Sequence, residues 1–484
     1  MRKTAFILSL IFLIVASSGV IGCGDKKPNR SVYNIVCELD GDVLKGTETV
    51  EFFNHGDNAL SALKFNLFGN AFREGAKYSP VSAQYLSKAY PNGINYGEMT
   101  INGVLSGDDE LEFSVCGEDE NILEVTLLEQ LFPDERVKIV IEYELNLADV
   151  VARTGVNANT VNLGNFYPIA CALDGEGFYE CLYYANGDPF YSDCADYNVT
   201  LTADRKYVVA SSGKKISETV DGTLTTGTYS IENARSFAFV LSEKFKVLTD
   251  SSTGTKINYY YYNDGAPEKS LEFAVRSLST FNDSFGRYPY ENYSVVQTEF
   301  VQGGMEYPAL VMISDDLTGT AYGEVIVHET AHQWWQTTVG NNEIKYGFLD
   351  EGLAEYSVVT FFEKYPEYGM TRENMVESAT TTYRVYCSVY DKIFGKVDTS
   401  MLRSLGEYKG EYEYVNIAYI KPCIMYDTLR ESIGDKKFFG ALKKYYEKYM
   451  FKNAVPDDLI GAFEKSGADT NGFFQSFFEG KVII

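Results

Sequence analysis

Apolar and polar residues alternate with period two from Ser31 to about Glu243: Tyr33, Ile35, Cys37 and Leu39 share one parity, and Thr47 to Phe53 repeats the pattern. Successive side chains of a strand point to opposite faces, so this alternation predicts half-buried strands. Polar clusters such as Asn54-His55-Gly56-Asp57-Asn58, Gly117-Glu118-Asp119-Glu120-Asn121 and Ser211-Ser212-Gly213-Lys214-Lys215 separate the runs. Together they predict an all-β saddle or sandwich domain over residues 31–250. After about Ser251 the period changes. Leu271, Ala274, Leu278, Phe281 and Phe285 recur at helical spacing, and residues 251–484 are expected to form a second domain in which long helices dominate. There is no internal repeat or low-complexity tract.

Length agrees with more than one domain, since 484 residues exceed what a single compact core accommodates. The formal charge is -26, from 68 acidic and 42 basic residues. No Lys/Arg run forms a phosphate-binding stripe, which excludes nucleic acid as the expected partner. At the N-terminus Arg2 and Lys3 precede an apolar run from Ala5 to about Val15, then Ala16, Ser17, Ser18 and Gly19. That order is expected of a cleaved export leader over residues 1–22. Val20-Ile21-Gly22-Cys23 resembles the lipobox of bacterial lipoproteins. The resemblance implies a lipid anchor on Cys23, a tether over residues 23–30 and a place on the extracytoplasmic face of a bacterial membrane. Plain secretion is the alternative. Of the other seven cysteines, Cys171, Cys181 and Cys194 are close enough for one disulfide, and buried free thiols fit equally well.

The candidate chemistry lies in Val325-Ile326-Val327-His328-Glu329-Thr330-Ala331-His332-Gln333-Trp334-Trp335, a run without Gly or Pro that is expected to be helical. Histidines at i and i+4 lie one turn apart on one face, so both imidazoles reach a single tetrahedral zinc at about 2.0 to 2.1 Å. Glu329 stands beside them as a general base for water whose pKa zinc lowers towards about 7. The chain holds 3 His and 2 Trp, and this segment contains two of the former and both of the latter. His55, in a polar turn, is read as solvent-exposed and without a role. A catalytic zinc needs a third protein ligand. A metzincin would place Gly and His three and six residues after the second histidine, where this chain has Trp335 and Thr338. Instead Glu351 follows after eighteen residues, in Gly347-Phe348-Leu349-Asp350-Glu351-Gly352, at the start of a second helical pattern. Glu355, one turn on, is placed either to orient a ligand histidine from behind or to face solvent.

With this spacing, Trp334-Trp335, and Gly303-Gly304-Met305-Glu306-Tyr307 about twenty residues before the first histidine, the chain resembles the aminopeptidase N family of gluzincins. The resemblance implies a thermolysin-like α+β catalytic domain and one Zn²⁺ held by His328, His332 and Glu351. It also implies an edge strand at Gly303, Gly304 and Met305 that pairs with the peptide backbone, and Glu306 on the free α-ammonium. Tyr419-Ile420-Lys421-Pro422 resembles the family's Tyr-Glu-Lys-Gly segment, which makes Tyr419 the expected donor to the oxyanion, with Tyr412 and Tyr414 as competitors. A further amine-binding residue is implied within Leu163–Asp188, as is a short form without the large helical C-terminal domain and hence a more open cleft.

The chain departs from the family pattern at Tyr307 for Asn, Gln336 for Gly, Asp350 for Asn, and Ile420 and Pro422 for Glu and Gly. None is a metal ligand. The expected activity is removal of N-terminal residues from peptides. Rival readings are a gluzincin endopeptidase, a surface binding protein that keeps the fold without turnover, and a zinc hydrolase of non-peptide substrates.

Overall fold

A computed structural model of the protein describes residues 29–467, 470 and 472–481; the leader and Cys23 lie outside the described residues. The period-two segments pair as expected. Val32–Asp40 forms a hairpin with Val43–Phe53, which continues to Arg136–Asn146 and Glu98–Ser106. On its other side Val32–Asp40 runs parallel to Ala195–Asp204, and the sheet totals eight strands. The parity seen in the sequence sets the inner face: Tyr33, Ile35, Cys37 and Leu39 are all buried. Two four-stranded sheets pack in the same half.

A five-stranded sheet follows in the order Lys246–Asp250, Lys256–Tyr261, Asn292–Thr298, Leu310–Ser314, Gly304–Met305. Among the described residues its last member pairs only with Leu310–Ser314, antiparallel, which leaves its other backbone edge free of a strand. Pro267–Phe285 crosses this sheet, with Phe273, Leu278, Phe281 and Phe285 buried along one face. The second half therefore does not turn helical at once: strands flank the helix Pro267–Phe285, and one of them, Gly304–Met305, carries part of the site before the later helices take over.

One apolar cluster runs through both halves. A buried arginine joins them: Arg235 donates from Nη1 to Ser192 O at 2.8 Å, from Nε to Gln336 O at 2.7 Å and from Nη2 to Lys452 O at 2.7 Å. Cys171 and Cys181 are buried and Cys194 is half-buried, and all seven cysteines among the described residues are unpaired. His55 is exposed as expected, yet its Nε2 lies 3.0 Å from Asp193 Oδ2. Among the described residues no helix is long and apolar enough to cross a membrane.

Candidate metal centre and peptide cleft

The helix Gly319–Ala331 carries His328 and Glu329 and ends one residue before His332, which caps it. The expected continuation to Trp335 is replaced by a turn. Trp334 and Trp335 bury their indoles, and Trp334 Nε1 donates to Gly286 O at 2.7 Å while Trp335 Nε1 donates to Ser357 Oγ at 3.1 Å. Gln336 completes the turn at φ 92, a conformation that favours glycine. The turn aims the Trp335 carbonyl back at His332 Nδ1, 3.1 Å away. A carbonyl only accepts, so Nδ1 carries the proton and Nε2 presents its lone pair.

Phe348–Lys364 lies across this helix and brings Glu351 to the same point. His328 Nε2 and His332 Nε2 are 3.0 Å apart, and Glu351 Oε2 lies 3.3 and 3.2 Å from them. A tetrahedral ion bound at about 2.05 Å sets its donors about 3.3 Å apart. The triangle therefore fits zinc without rearrangement. Glu355 Oε2 stands 3.4 Å from His328 Nδ1, on the side away from the triangle, which frees Nε2 of His328 in turn. Against burial, which pushes it up, His332 and His328 hold the Glu351 carboxyl down at about 2. Burial first, then the Glu306 charge, drives Glu329 up to about 8, with His328 opposing. Carboxylates outnumber cations here, a balance that a divalent cation offsets.

Glu329 is buried, with Oε2 unpartnered among the described residues. The strand Gly304–Met305 passes directly over it, and a Cβ at Gly304 would collide with the Glu329 carboxylate. At Gly303 a Cβ would meet only Val325, at 3.7 Å. Gln333 ties this strand to the histidine turn, accepting from Ala309 N at 2.9 Å and donating to Tyr307 O at 3.2 Å.

Glu306 is buried beside the triangle, with Oε1 unpartnered among the described residues. Single donor atoms of Glu306, His332 and Asp350 lie within 4.8 Å of one another. Beyond Glu306 the cleft closes. Tyr307 is buried and donates to Asn165 Oδ1 at 2.8 Å, and the buried Arg153 pairs with Asp188 and donates to Met305 Sδ at 2.9 Å. Asp188 falls in the segment singled out for an added amine contact and lines the cleft, whereas sequence reasoning missed Arg153, its partner.

Tyr419 projects from a π-helical turn, Val415–Ile420, and Pro422 sits in the first turn of the following helix, Lys421–Ile433. Its hydroxyl donates to Glu351 Oε1, and its ring stacks on His328 with centroids 5.8 Å apart. Of the competitors, Tyr412 is 49% exposed on the outside, while Tyr414 is buried and reaches the cleft behind Tyr419. A cleft of about 340 Å³ is lined by every expected site residue except Met305, which is buried, and Cys23, which lies outside the described residues.

Residues 269–477 match the Peptidase family M1 domain. Aminopeptidase M1-B of Oryza sativa subsp. japonica is 26% identical over 296 residues, covering 57% of this chain and 33% of that protein. The chain thus spans about a third of the length of that relative. An M1 zinc metallopeptidase from Deinococcus radiodurans shares the fold with a TM-score of 0.67 at 18% identity, covering 94% of this chain and 95% of that one. The same enzyme bound to a Tyr-Ser-Ala substrate superposes with a TM-score of 0.64 at 17% identity, covering 94% of each chain.

Proposed function

As the chain belongs to the aminopeptidase N family of gluzincins, we propose that it is a zinc aminopeptidase that releases N-terminal residues from peptides. The observation that carries this reading is the blind end at Glu306: a buried carboxylate with an unpartnered oxygen, next to the metal triangle, where the cleft is closed beyond. A charged α-ammonium satisfies that oxygen, and an internal peptide bond leaves it unpaired, at a cost of about 1–3 kcal/mol or more. A peptide seated there extends along the free edge of Gly304–Met305 with its first peptide bond over the triangle.

His328, His332 and Glu351 would hold a zinc ion, which supplies Lewis acidity and makes hydroxide accessible near neutral pH. Glu329 accepts the proton of the attacking water at Oε2 and returns it to the departing amine. Tyr419, parked on Glu351 in the free protein, is the nearest hydroxyl for the developing oxyanion. Glu355 keeps His328 in the tautomer that points Nε2 inward.

The test compares amino-acid anilides with N-acetylated anilides and internally quenched peptides. Hydrolysis of the free anilides alone, lost by about 10³-fold or more in Glu329→Gln, is expected. Equal cleavage of blocked substrates would instead establish an endopeptidase. Within the same reading the chain is exported and tethered through Cys23, as the order of basic, apolar and small residues at the N-terminus suggests. Labelled palmitate should enter the chain and be absent from Cys23→Ala, and equal labelling of both would reject the anchor.

A further inference from the structure

Once the metal ligands, base, ammonium site and tyrosine are assigned, two polar groups in the cleft are left without a task. Glu324 lies one turn before His328 on the same helix face, half-buried and lining the cleft. Among the described residues its carboxylate has no hydrogen bond or ion pair. The Glu355 charge repels it and His328 attracts it. Gln302 lines the same cleft with a buried Oε1 that accepts from nothing among the described residues. The two stand on adjoining walls, since Gly303 packs against Val325. Both offer acceptors, and no donor among the described residues answers them.

Their position follows from the direction of the strand. Glu306 lies past Met305 at the closed end, and Gln302 lies before Gly303 at the open end. A peptide whose ammonium is on Glu306 therefore runs back towards Gln302. The residue after the scissile bond then reaches the wall formed by Glu324, Val325 and Val358. Two valines offer an apolar track for a methylene stem, and the carboxylates of Glu324 and Glu355, with Gln302 Oε1, receive a cationic head at its end.

On the aminopeptidase reading, which this rests on, we infer that the open side of the cleft is a subsite for a lysine or arginine in the second position of the peptide, with Glu324 its specificity-determining residue. A cation there ends the confrontation of Glu324 with Glu355 and gives the buried Gln302 oxygen a donor. An acidic residue adds a third negative charge, and an aliphatic one leaves Glu324 and the Gln302 oxygen unanswered.

The zinc-loaded protein is assayed with Leu-Lys-Gly, Leu-Leu-Gly and Leu-Glu-Gly, with leucine anilide as a reference that ends at the scissile bond. We expect kcat/KM to favour lysine over leucine at the second position by about tenfold, with glutamate below both. In Glu324→Gln the lysine preference should collapse, and in Glu324→Lys it should invert towards glutamate. A wild-type protein indifferent to the second residue, or Glu324→Gln with its preference intact, overturns the inference even when leucine anilide is cleaved. If the anilide is not cleaved, it is the aminopeptidase reading that fails. The subsite is then read by calorimetry on Glu329→Gln, where tighter binding of Leu-Lys-Gly than Leu-Leu-Gly upholds it and equal binding rejects it.

Discussion

Glu48 occupies an inward position of the strand Val43–Phe53, on the same parity as Leu44, Val50 and Phe52. It is fully buried, and neither carboxylate oxygen has a partner among the described residues. The groups facing it are tyrosines, Tyr33, Tyr143, Tyr167 and Tyr197, and burial pushes its carboxyl well above the ordinary glutamate range. Below the unfolded pKa both states hold the proton, and above it only the folded state does. Stability therefore falls as pH rises, by about 1.4 kcal/mol per unit, until the folded pKa is reached. Denaturant titrations of Glu48→Gln should lose this slope and exceed wild type at neutral pH by about 1–3 kcal/mol; a variant with the same slope would show that Glu48 is not its source. The parity of Glu48 was legible in the sequence, but the absence of any partner was not, because the facing tyrosines come from four separate stretches of chain. The paired glycines offer a cleaner contrast in the cleft. Gly304→Ala drives a methyl into the Glu329 carboxylate, whereas Gly303→Ala meets Val325 at an ordinary distance. Gly304→Ala should lower kcat by about 10² or more with little change in melting temperature, and Gly303→Ala should stay within a fewfold of wild type.

At the scale of elements, what the sequence disclosed was whatever lies within one helix or across one turn. The i, i+4 histidines need only helical geometry, and Glu351 needs only a loop of eighteen residues that returns to the same face. Gln302 and Glu324 were not legible, because their meeting depends on how the edge strand lies against the histidine helix, a relation set by Gln333 bonding to both sides of Pro308. The π-helical turn Val415–Ile420 was equally hidden, since its extra residue shows only in the hydrogen-bond register that lifts Tyr419 over the triangle. Lys421 secures the end of that turn. Its buried Nζ donates to Thr399 O at 2.6 Å and to Phe477 O at 2.5 Å, tying the helix Phe473–Phe478 to the base of the tyrosine turn. Lys421→Met keeps the stem, leaves Thr399 O without a donor and leaves Phe477 O with only the Gly480 amide, a loss of about 1–3 kcal/mol. Because Tyr419 acts on the developing charge rather than on the bound peptide, kcat should fall by about tenfold while KM holds, and melting followed by calorimetry should shift down in parallel.

For the molecule as a whole, the decisive contact is the one between halves that the change of period at about residue 250 already separated. Arg235 leaves the strand-rich half and enters the turn after Trp335, where its guanidinium packs so closely on Gly340 that a Cβ there would overlap it. Besides the carbonyls of Ser192, Gln336 and Lys452 it reaches Asn453 Oδ1, so one cation satisfies acceptors from both halves. Gln336, held at φ 92 by that bond, directly follows the residue whose carbonyl fixes the His332 tautomer. Through this bond the strand-rich half bears on His332 across one peptide unit, in addition to its contacts with Met305 and Tyr307. Removing the cation leaves buried acceptors unpaired and frees a strained turn, which together cost about 3–5 kcal/mol. Arg235→Met is expected to split a single calorimetric transition into two as the halves lose their clamp. It should also weaken zinc by about tenfold in competition with a chromophoric chelator, although Arg235 touches no ligand. An unchanged zinc affinity beside a lowered melting temperature would mean that the clamp holds the halves together without tuning the metal.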